Sequence, residues 1–506
     1  MCGIFAHISK YYHEYDTLYK HGNKCNHRGP DNTIVELDNY KEFYLFLMFH
    51  RLAINGLDSI SNQPMTIDNI TIICNGEIYN FKELAEKNNI KLKTNSDCEV
   101  IIHLYKIYGI DCIGLLDGVF SFLLFDKSTG LVYVGHDPLG IRSLYMIYSD
   151  NNFAISSEMK CLTGFNEKIE MVAPGSYIKY NLNYNTCDEY KYFNLDFHNI
   201  YIDDITSISM IQNCLFDSIK KRLLTERPFG CLLSGGIDSS IIAGLICKLI
   251  EPKDVKTFSI GLNNSPDLKY AKIVSDHLGT NHTEIIVTEE QMLEAIEPTI
   301  KQIESFDTTT VRASVPMYLL SKYINENTDI KVIFSGEGAD ELSGSYLYFH
   351  NSPSPEAFQK ECIKLLNDVQ HFDVLRGDKT TAGNGLEIRV PFFDKEFVKN
   401  YMSIDPKLKM VRNGFEKYLL RKSFEDLLPE EIIWRRKDGF SDGVSDDTRP
   451  WYQIIEEYCI NTKGMSEKDY YKYLFSKYYK NHEYIVPYEW LPKWTEQSNP
   501  SGRLIL

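Results

Sequence analysis

Cys2 stands directly behind the first methionine, in MCGI. A small residue at the second position permits removal of that methionine, which would leave the thiol beside a free α-amine. Such an amine has an unperturbed pKa of about 7.7–8.0, so a useful fraction is neutral near pH 7. It can take the thiol proton, directly or through water, and one residue then supplies both nucleophile and base. A cysteine here can equally be an accident of sequence, so the pattern that follows it has to decide.

A second candidate is SGGIDSS, Ser234–Ser240, placed between the apolar run FGCLL and a helical pattern. Gly235 and Gly236 let backbone N–H groups approach an anion closely. Ser234, Ser239 and Ser240 add hydroxyl donors, and the helix N-terminus contributes its positive end. Asp238 would repel a phosphate unless a cation lay between them, which makes it the candidate Mg²⁺ ligand. The segment is not GxxxxGK[ST], so a Walker-type kinase or GTPase is excluded at this site. A Ser- and Gly-rich turn alone is an ordinary helix cap; its place between strand and helix is what makes it specific.

Different elements must position these two groups. As far as about residue 190 the chain carries short β-type runs: 3–6, 43–49, 70–74, 120–125 and 131–135. Turn residues separate them, and one helix is predicted over 97–108. The spacing is too tight for βαβ crossovers and predicts an α+β fold with hairpins. After Asp196 the pattern changes. Asp203 and Asp204 can cap a helix reaching Leu224. Strands at 229–233, 256–260, 283–287 and 331–334 then alternate with helices near 239–250 and 268–278, which predicts a doubly wound parallel sheet. From about Glu356 the chain is mostly helical.

At 506 residues the chain suits two to four domains, at roughly 100–200 residues each. A net charge of −16 argues against a broad nucleic-acid-binding or anionic-membrane surface. No apolar run approaches the length needed to cross a bilayer, and no secretory signal is visible. Twelve cysteines without CxxC pairs, several inside apolar runs (Cys74, Cys231, Cys247), read as small buried hydrophobes in a cytoplasmic, reducing setting.

MCGI is followed by HRGPD (His27–Asp31), HRLAI (His50–Ile54), NGEIYN (Asn75–Asn80) and SDCEV (Ser96–Val100). In order and spacing these resemble the class II glutamine amidotransferases, N-terminal-nucleophile hydrolases built as an αββα sandwich. The resemblance implies a glutaminase domain over 2–190, with Cys2 attacking the glutamine side-chain amide. It implies an oxyanion hole from the Asn75 side chain and the Gly76 backbone N–H. Arg51 would hold the substrate α-carboxylate, and Asp97 with the Glu77 neighbourhood would hold its α-ammonium.

SGGIDSS similarly resembles the pyrophosphate loop of the ATP pyrophosphatases, in which Leu233 and Ile260 would line the adenine pocket. Farther on come DTTTVRASVPMYLL (Asp307–Leu320), SGEGADEL (Ser335–Leu342), GLEIRVPFFD (Gly385–Asp394), RRKDGFSDGV (Arg435–Val444), and LPKW and PSGRL near the end. Nearly the whole chain thus resembles the glutamine-hydrolysing asparagine synthetases, with a synthetase domain over 203–495. By that resemblance ATP is a substrate, with Mg²⁺, and Ser335 and Gly336 contact the nucleotide. Glu337 sits at the aspartyl-adenylate, where it would accept a proton from attacking ammonia. Asp340 and Glu341 support aspartate or metal binding, Lys437 stabilises departure of pyrophosphate, and Thr309, Thr310 and Arg312 are further phosphate or substrate contacts. Family members carry ammonia through an internal apolar passage, which keeps it from becoming ammonium.

The stretch after GADE, here LSGSYLYF with Ser343 and Ser345, departs from the glycine-rich continuation common in the family. Two other readings stand beside the main one. A relative could amidate or cyclise another carboxylate, although cyclisation needs no ammonia and so gives Cys2 no purpose. A non-catalytic homologue could sense ligands, although retention of Cys2, Arg51, Asn75, Asp97 and Glu337 argues against decay. The expected partners are the small molecules glutamine, aspartate and ATP, with no nucleic acid and no membrane; a homodimer is an expectation of the family alone.

Overall fold

The structure is a computed structural model and describes residues 1–436, 438–446, 448–497 and 499–501. The chain forms two compact units. The first comprises Met1–Asn194 with Leu224–Arg227 and Ala382–Glu387; the second comprises Leu195–Leu223, Pro228–Thr381 and the chain from Ile388 onward.

In the first unit the strands are β1 (Gly3–Ser9), β2 (Asn32–Tyr40), β3 (Phe43–Arg51), β4 (Met65–Ile67), β5 (Ile70–Ile78), β6 (Gly118–Asp126), β7 (Leu131–His136), β8 (Tyr145–Tyr148), β9 (Asn152–Ser156), β10 (Glu170–Met171), β11 (Ser176–Asn181) and β12 (Thr186–Lys191). They make two six-stranded sheets, ordered β10-β8-β9-β1-β3-β2 and β12-β11-β7-β6-β5-β4. Strict alternation of apolar residues builds the layers. Ile73 of β5 and Leu123 and Phe125 of β6 join Ile4, Ala6 and Ile8 of β1 in the core between the sheets. Their neighbours Ile72, Cys74, Phe120, Phe122 and Leu124 turn the other way, against the helix Glu99–Tyr108. On the far side of the first sheet, Gly22 of the helix Tyr15–Gly22 lies against Phe5 and Met48. This is the αββα sandwich expected from the sequence.

Each strand of this unit read from the sequence lies within a longer observed one. The strands of this unit not foreseen are β2, β4 and β8–β12. β2 is half-exposed along its whole length, and the others are short, so neither gives a clean apolar signal.

A five-stranded sheet, all but Glu387 of it in the second unit, holds β13 (Phe229–Leu232), β14 (Lys256–Leu262), β15 (Asn281–Val287), β16 (Val332–Phe334) and β17 (Glu387–Arg389), ordered β15-β14-β13-β16-β17. β13 pairs in parallel with both β14 and β16. The chain therefore leaves β13 toward one side and later returns to its other side, which makes the end of β13 the switch point where doubly wound sheets bind ligands. The helix Asp204–Arg222 is capped by Asp203, whose Oδ1 accepts the Thr206 N–H at 2.9 Å. Ser265 and Asp307 likewise cap the helices Pro266–Leu278 and Thr308–Asn327. Among the described residues no helix is long and apolar enough to cross a membrane.

Candidate functional site

Cys2 leads into β1, and β1 pairs with β3 in the register Gly3↔His50, which sets Cys2 beside Arg51 at one end of the two strands. The Cys2 Sγ lies 3.5 Å from the Leu52 nitrogen and 3.6 Å from its oxygen. Burial pushes the Cys2 thiol up to about 11, so it needs a base at the moment of attack. Met1 still holds the Cys2 nitrogen in a peptide bond, and burial lowers the Met1 amine to about 6; removal of Met1 is what would give Cys2 its own α-amine as base. Arg28 donates its Nε–H to the Cys2 carbonyl at 3.0 Å and is itself paired with Glu158.

Asn75 lies on β5, in the second sheet. Its side chain is fully buried, and neither amide atom has a hydrogen-bond partner among the described residues. An orphaned buried amide costs about 1–3 kcal/mol, a cost that persists where function requires it. The next residue admits no side chain, because a Cβ on Gly76 would stand 2.5 Å from the Val119 oxygen.

Arg51, also buried, gives its hydrogen bonds to neutral acceptors: the Asp58 oxygen at 2.7 Å, Asn62 Oδ1 at 2.6 Å, and the Gly56 oxygen. Among the described residues no carboxylate pairs with it, so its charge is free to meet one from a ligand. Glu77 and Asp97 are buried carboxylates. Asn55 Nδ2 donates to Glu77 at 2.7 Å, and the Ile78 N–H donates to Asp97 at 2.6 Å. Asp97 therefore ties its segment to β5 and leaves the helix start uncapped by any side chain. One unneutralised cation and two buried anions match the two ends of an amino-acid zwitterion.

In the second unit a cavity opens at the carboxyl ends of β13, β14 and β16. Leu233, Ser234, Gly236, Asp238, Ser239, Ile260, Thr309, Thr310, Ser335, Gly336, Glu337, Asp340 and Glu341 all line it. Gly235 and Ser240 do not. Gly235 makes the turn: it has φ +69°, and a Cβ would stand 2.3 Å from the Tyr270 carbonyl carbon. Ser240 turns back into its own helix, donating to the Gly236 oxygen at 2.8 Å. A Cβ on Gly336 would come 2.8 Å from the Ser239 nitrogen, so the loops after β13 and β16 meet with no room for a side chain.

Charged side chains line and adjoin the cavity. Lys417, which the sequence reading did not single out, bridges Asp238 and Asp340, at 2.6 Å from Asp340 Oδ1. Ser345, from the segment that departs from the family pattern, also donates to Asp340. Asp238 Oδ1 is buried and has no hydrogen-bond partner among the described residues. Arg376, likewise not foreseen, donates to Glu337 at 2.5 Å and to Asp373 at 2.8 Å. Burial and the nearby Asp373 and Asp340 raise Glu341 well above the usual carboxylate range, and Tyr346 donates its hydroxyl to it. Neither Lys417 nor Arg376 stands in a distinctive motif; FEKYLL and VLRGDK look like ordinary helix surface.

Arg312 stands outside the cavity. Its guanidinium makes two bonds to Glu467, at 2.8 and 2.5 Å, and one to Asn499 at 2.8 Å. The Thr310 hydroxyl donates to Asp307, the cap of its own helix, at 2.8 Å, whereas the buried Thr309 hydroxyl has no partner among the described residues. Lys437 lies outside the described residues.

A buried thiol at Cys2 and an orphaned buried amide in one unit, with a phosphate loop on a doubly wound sheet in the other, are what an amidotransferase joined to a nucleotide-using unit would carry. Residues 1–194 match the family model described as glutamine amidotransferase domain, and residues 210–357 and 351–497 match that described as asparagine synthase. Proteins named glutamine-hydrolysing asparagine synthetase from Gallus gallus and Homo sapiens are each 38% identical to this chain, over 95% of its length and 94% of theirs. The chain belongs to the asparagine synthase family. Among solved structures, the glutamine phosphoribosylpyrophosphate amidotransferase from B. subtilis is similar at TM-score 0.33 and 15% identity, covering 66% of this chain and 81% of that one, too loose a likeness to build on.

Proposed function

We propose that the chain makes asparagine from aspartate, with glutamine as nitrogen donor and ATP as activator. The observation that carries this reading is the full-length similarity to glutamine-hydrolysing asparagine synthetases, with a built site in each of the two units.

In the first unit the Cys2 sulfur attacks the glutamine side-chain carbonyl. The Asn75 amide and the Gly76 N–H receive the oxyanion, a term worth about 2.7–4 kcal/mol per donor in comparable sites. Ammonia leaves, and water resolves the thioester to glutamate. Arg51 holds the α-carboxylate, while Asp97 and Glu77 hold the α-ammonium.

In the second unit the loop Ser234–Ser239 with Ser335 and Gly336 binds ATP, and Leu233 and Ile260 pack on the base. The aspartate β-carboxylate attacks the α-phosphorus, giving β-aspartyl-AMP and pyrophosphate. Ammonia then displaces AMP, and Glu337 accepts the proton it sheds. Mg²⁺ fits the residues present. Asp238 has a buried oxygen to give, Asp340 is close by, and phosphate oxygens would complete the shell, since no cluster of three ligating side chains exists among the described residues. When bound, the cation offsets the negative charge that otherwise keeps carboxylate and triphosphate apart. Twelve unpaired cysteines suit a cytoplasmic setting.

The test is product analysis by mass spectrometry after mixing protein, glutamine, aspartate, ATP and Mg²⁺, with a control lacking aspartate. Asparagine, AMP and pyrophosphate formed only with aspartate support the reading. Glutamate alone would overturn the acceptor assignment and leave the glutaminase standing.

A further inference from the structure

Lys417 has a completely buried side chain, and its ammonium lies between two carboxylates that come from different segments. Asp238 belongs to the first turn of the helix Ile237–Cys247, and Asp340 belongs to the short helix Ala339–Ser343. The lysine backbone is held at φ +58°, just before the helix Tyr418–Ser423. A residue other than glycine keeps that conformation only where its surroundings enforce it, typically at a cost of about 1–3 kcal/mol. Here the preceding residue is clamped, because Arg421 Nε donates to the Glu416 oxygen at 2.8 Å and its Nη2 donates to the Glu416 carboxylate.

We propose that Lys417 is a resident counter-ion occupying the place of the divalent cation, so that this site takes metal only together with nucleotide. The proposal rests on the assignment of Asp238 to the cation. Two carboxylates brought this close need a positive charge between them, and a buried ammonium supplies it without a metal. With the lysine in place, the pair keeps only one net negative charge to offer. No third carboxylate, histidine or cysteine completes a cage among the described residues. A free Mg²⁺ would have to displace an ammonium already paired twice and shed water for too few ligands, an exchange that ion makes reluctantly.

A bound triphosphate reverses this balance. It brings oxygens that serve both as metal ligands and as new acceptors for the Lys417 ammonium, which releases Asp238 Oδ2 and Asp340 Oδ1 from the lysine. The Asp238 Oδ1, buried and without a hydrogen-bond partner among the described residues, is the ligand atom that the lysine leaves unused. The device protects the phosphate loop from idle metal and makes metal and nucleotide enter together.

The experiment titrates the full chain with Mn²⁺, following free ion by electron paramagnetic resonance, with and without a non-hydrolysable ATP analogue. Wild-type protein is expected to bind Mn²⁺ at least about tenfold more tightly with the analogue than without it, a difference of about 1.4 kcal/mol. Lys417→Met and Lys417→Gln should each tighten nucleotide-free binding by about threefold or more, while Lys417→Arg keeps the wild-type pattern. A smaller change in folded neutral variants, judged by their thermal unfolding, overturns the proposal. So does tight nucleotide-free binding by the wild type, which needs no variant to fold. Asp238→Asn tests the underlying assignment separately: if it leaves Mn²⁺ binding with the analogue unchanged, the cation reading fails whatever Lys417 does.

Discussion

Arg28 donates its Nε–H to the carbonyl oxygen of Cys2 at 3.0 Å and turns its Nη1 toward Glu158 at 3.3 Å, with both side chains completely buried. The nucleophile's backbone is thus pinned by a cation that is itself neutralised from behind. Burial alone would raise Glu158, but His27, Lys160 and Arg28 together hold it well below the usual carboxylate range. A carboxylate with a lowered folded pKa stabilises above its unfolded value, about 4.3, and that contribution is lost as the pH falls through the folded value.

Glu158→Gln leaves Arg28 buried without its anion and should cost about 3–5 kcal/mol at pH 7. Thermal unfolding followed from pH 7 to pH 3 should show a smaller drop in the variant than in the wild type, since the acid-sensitive contribution has already been removed. An equal drop in both proteins would mean that other carboxylates govern acid unfolding.

The orphaned amide of Asn75 separates function from stability. Asn75→Ala should lower kcat for glutamine hydrolysis by about 10²–10³, with KM for glutamine nearly unchanged, because the amide acts on the oxyanion and not on the bound substrate. No hydrogen bond is lost in the resting protein, so the unfolding temperature should fall by no more than a small cavity would cause. Synthesis from added ammonium salt should persist. A large loss of stability would show that the amide has a structural partner.

Much of this was legible in the sequence because it lies in short motifs where chemistry and backbone restrict the residue together. Gly76 and Gly336 stand where a Cβ would strike backbone, so the glycines of NGEIYN and SGEGADEL mark the sites themselves. Lys417 and Arg376 were not legible. A charged side chain on a helical segment reads as solvated surface, and only folding shows that each is buried against carboxylates distant in sequence. Arg312 is the reverse case. It stands in a polar, motif-like run near the cavity, yet its partner Glu467 comes from 155 residues farther along the chain, and no local pattern announces that pairing.

Glu337 can be tested as a proton acceptor by splitting the second reaction in two. Glu337→Gln keeps the shape and still accepts a bond from Arg376, so aspartate-dependent exchange of pyrophosphate into ATP should survive within a few-fold. Asparagine formation should fall by about 10²-fold or more, the usual contribution of a positioned general base. Loss of both activities together would make Glu337 a binding residue for the adenylate-forming step.

The Arg312–Glu467 pair lies outside the cavity, and its loss should register as stability and not as affinity. Both side chains are buried, and the arginine fork is fully engaged by Glu467 and Asn499. Arg312→Met strands the Glu467 carboxylate and should cost about 3–5 kcal/mol in denaturant unfolding, while KM for ATP and aspartate stays unchanged in the folded fraction. Replacing both partners, as Arg312→Met with Glu467→Leu, removes the stranded charge and should recover most of that loss, since a well-packed apolar pair often equals a buried ion pair. A raised KM for either substrate with stability intact would instead return Arg312 to the substrate side of the cavity wall.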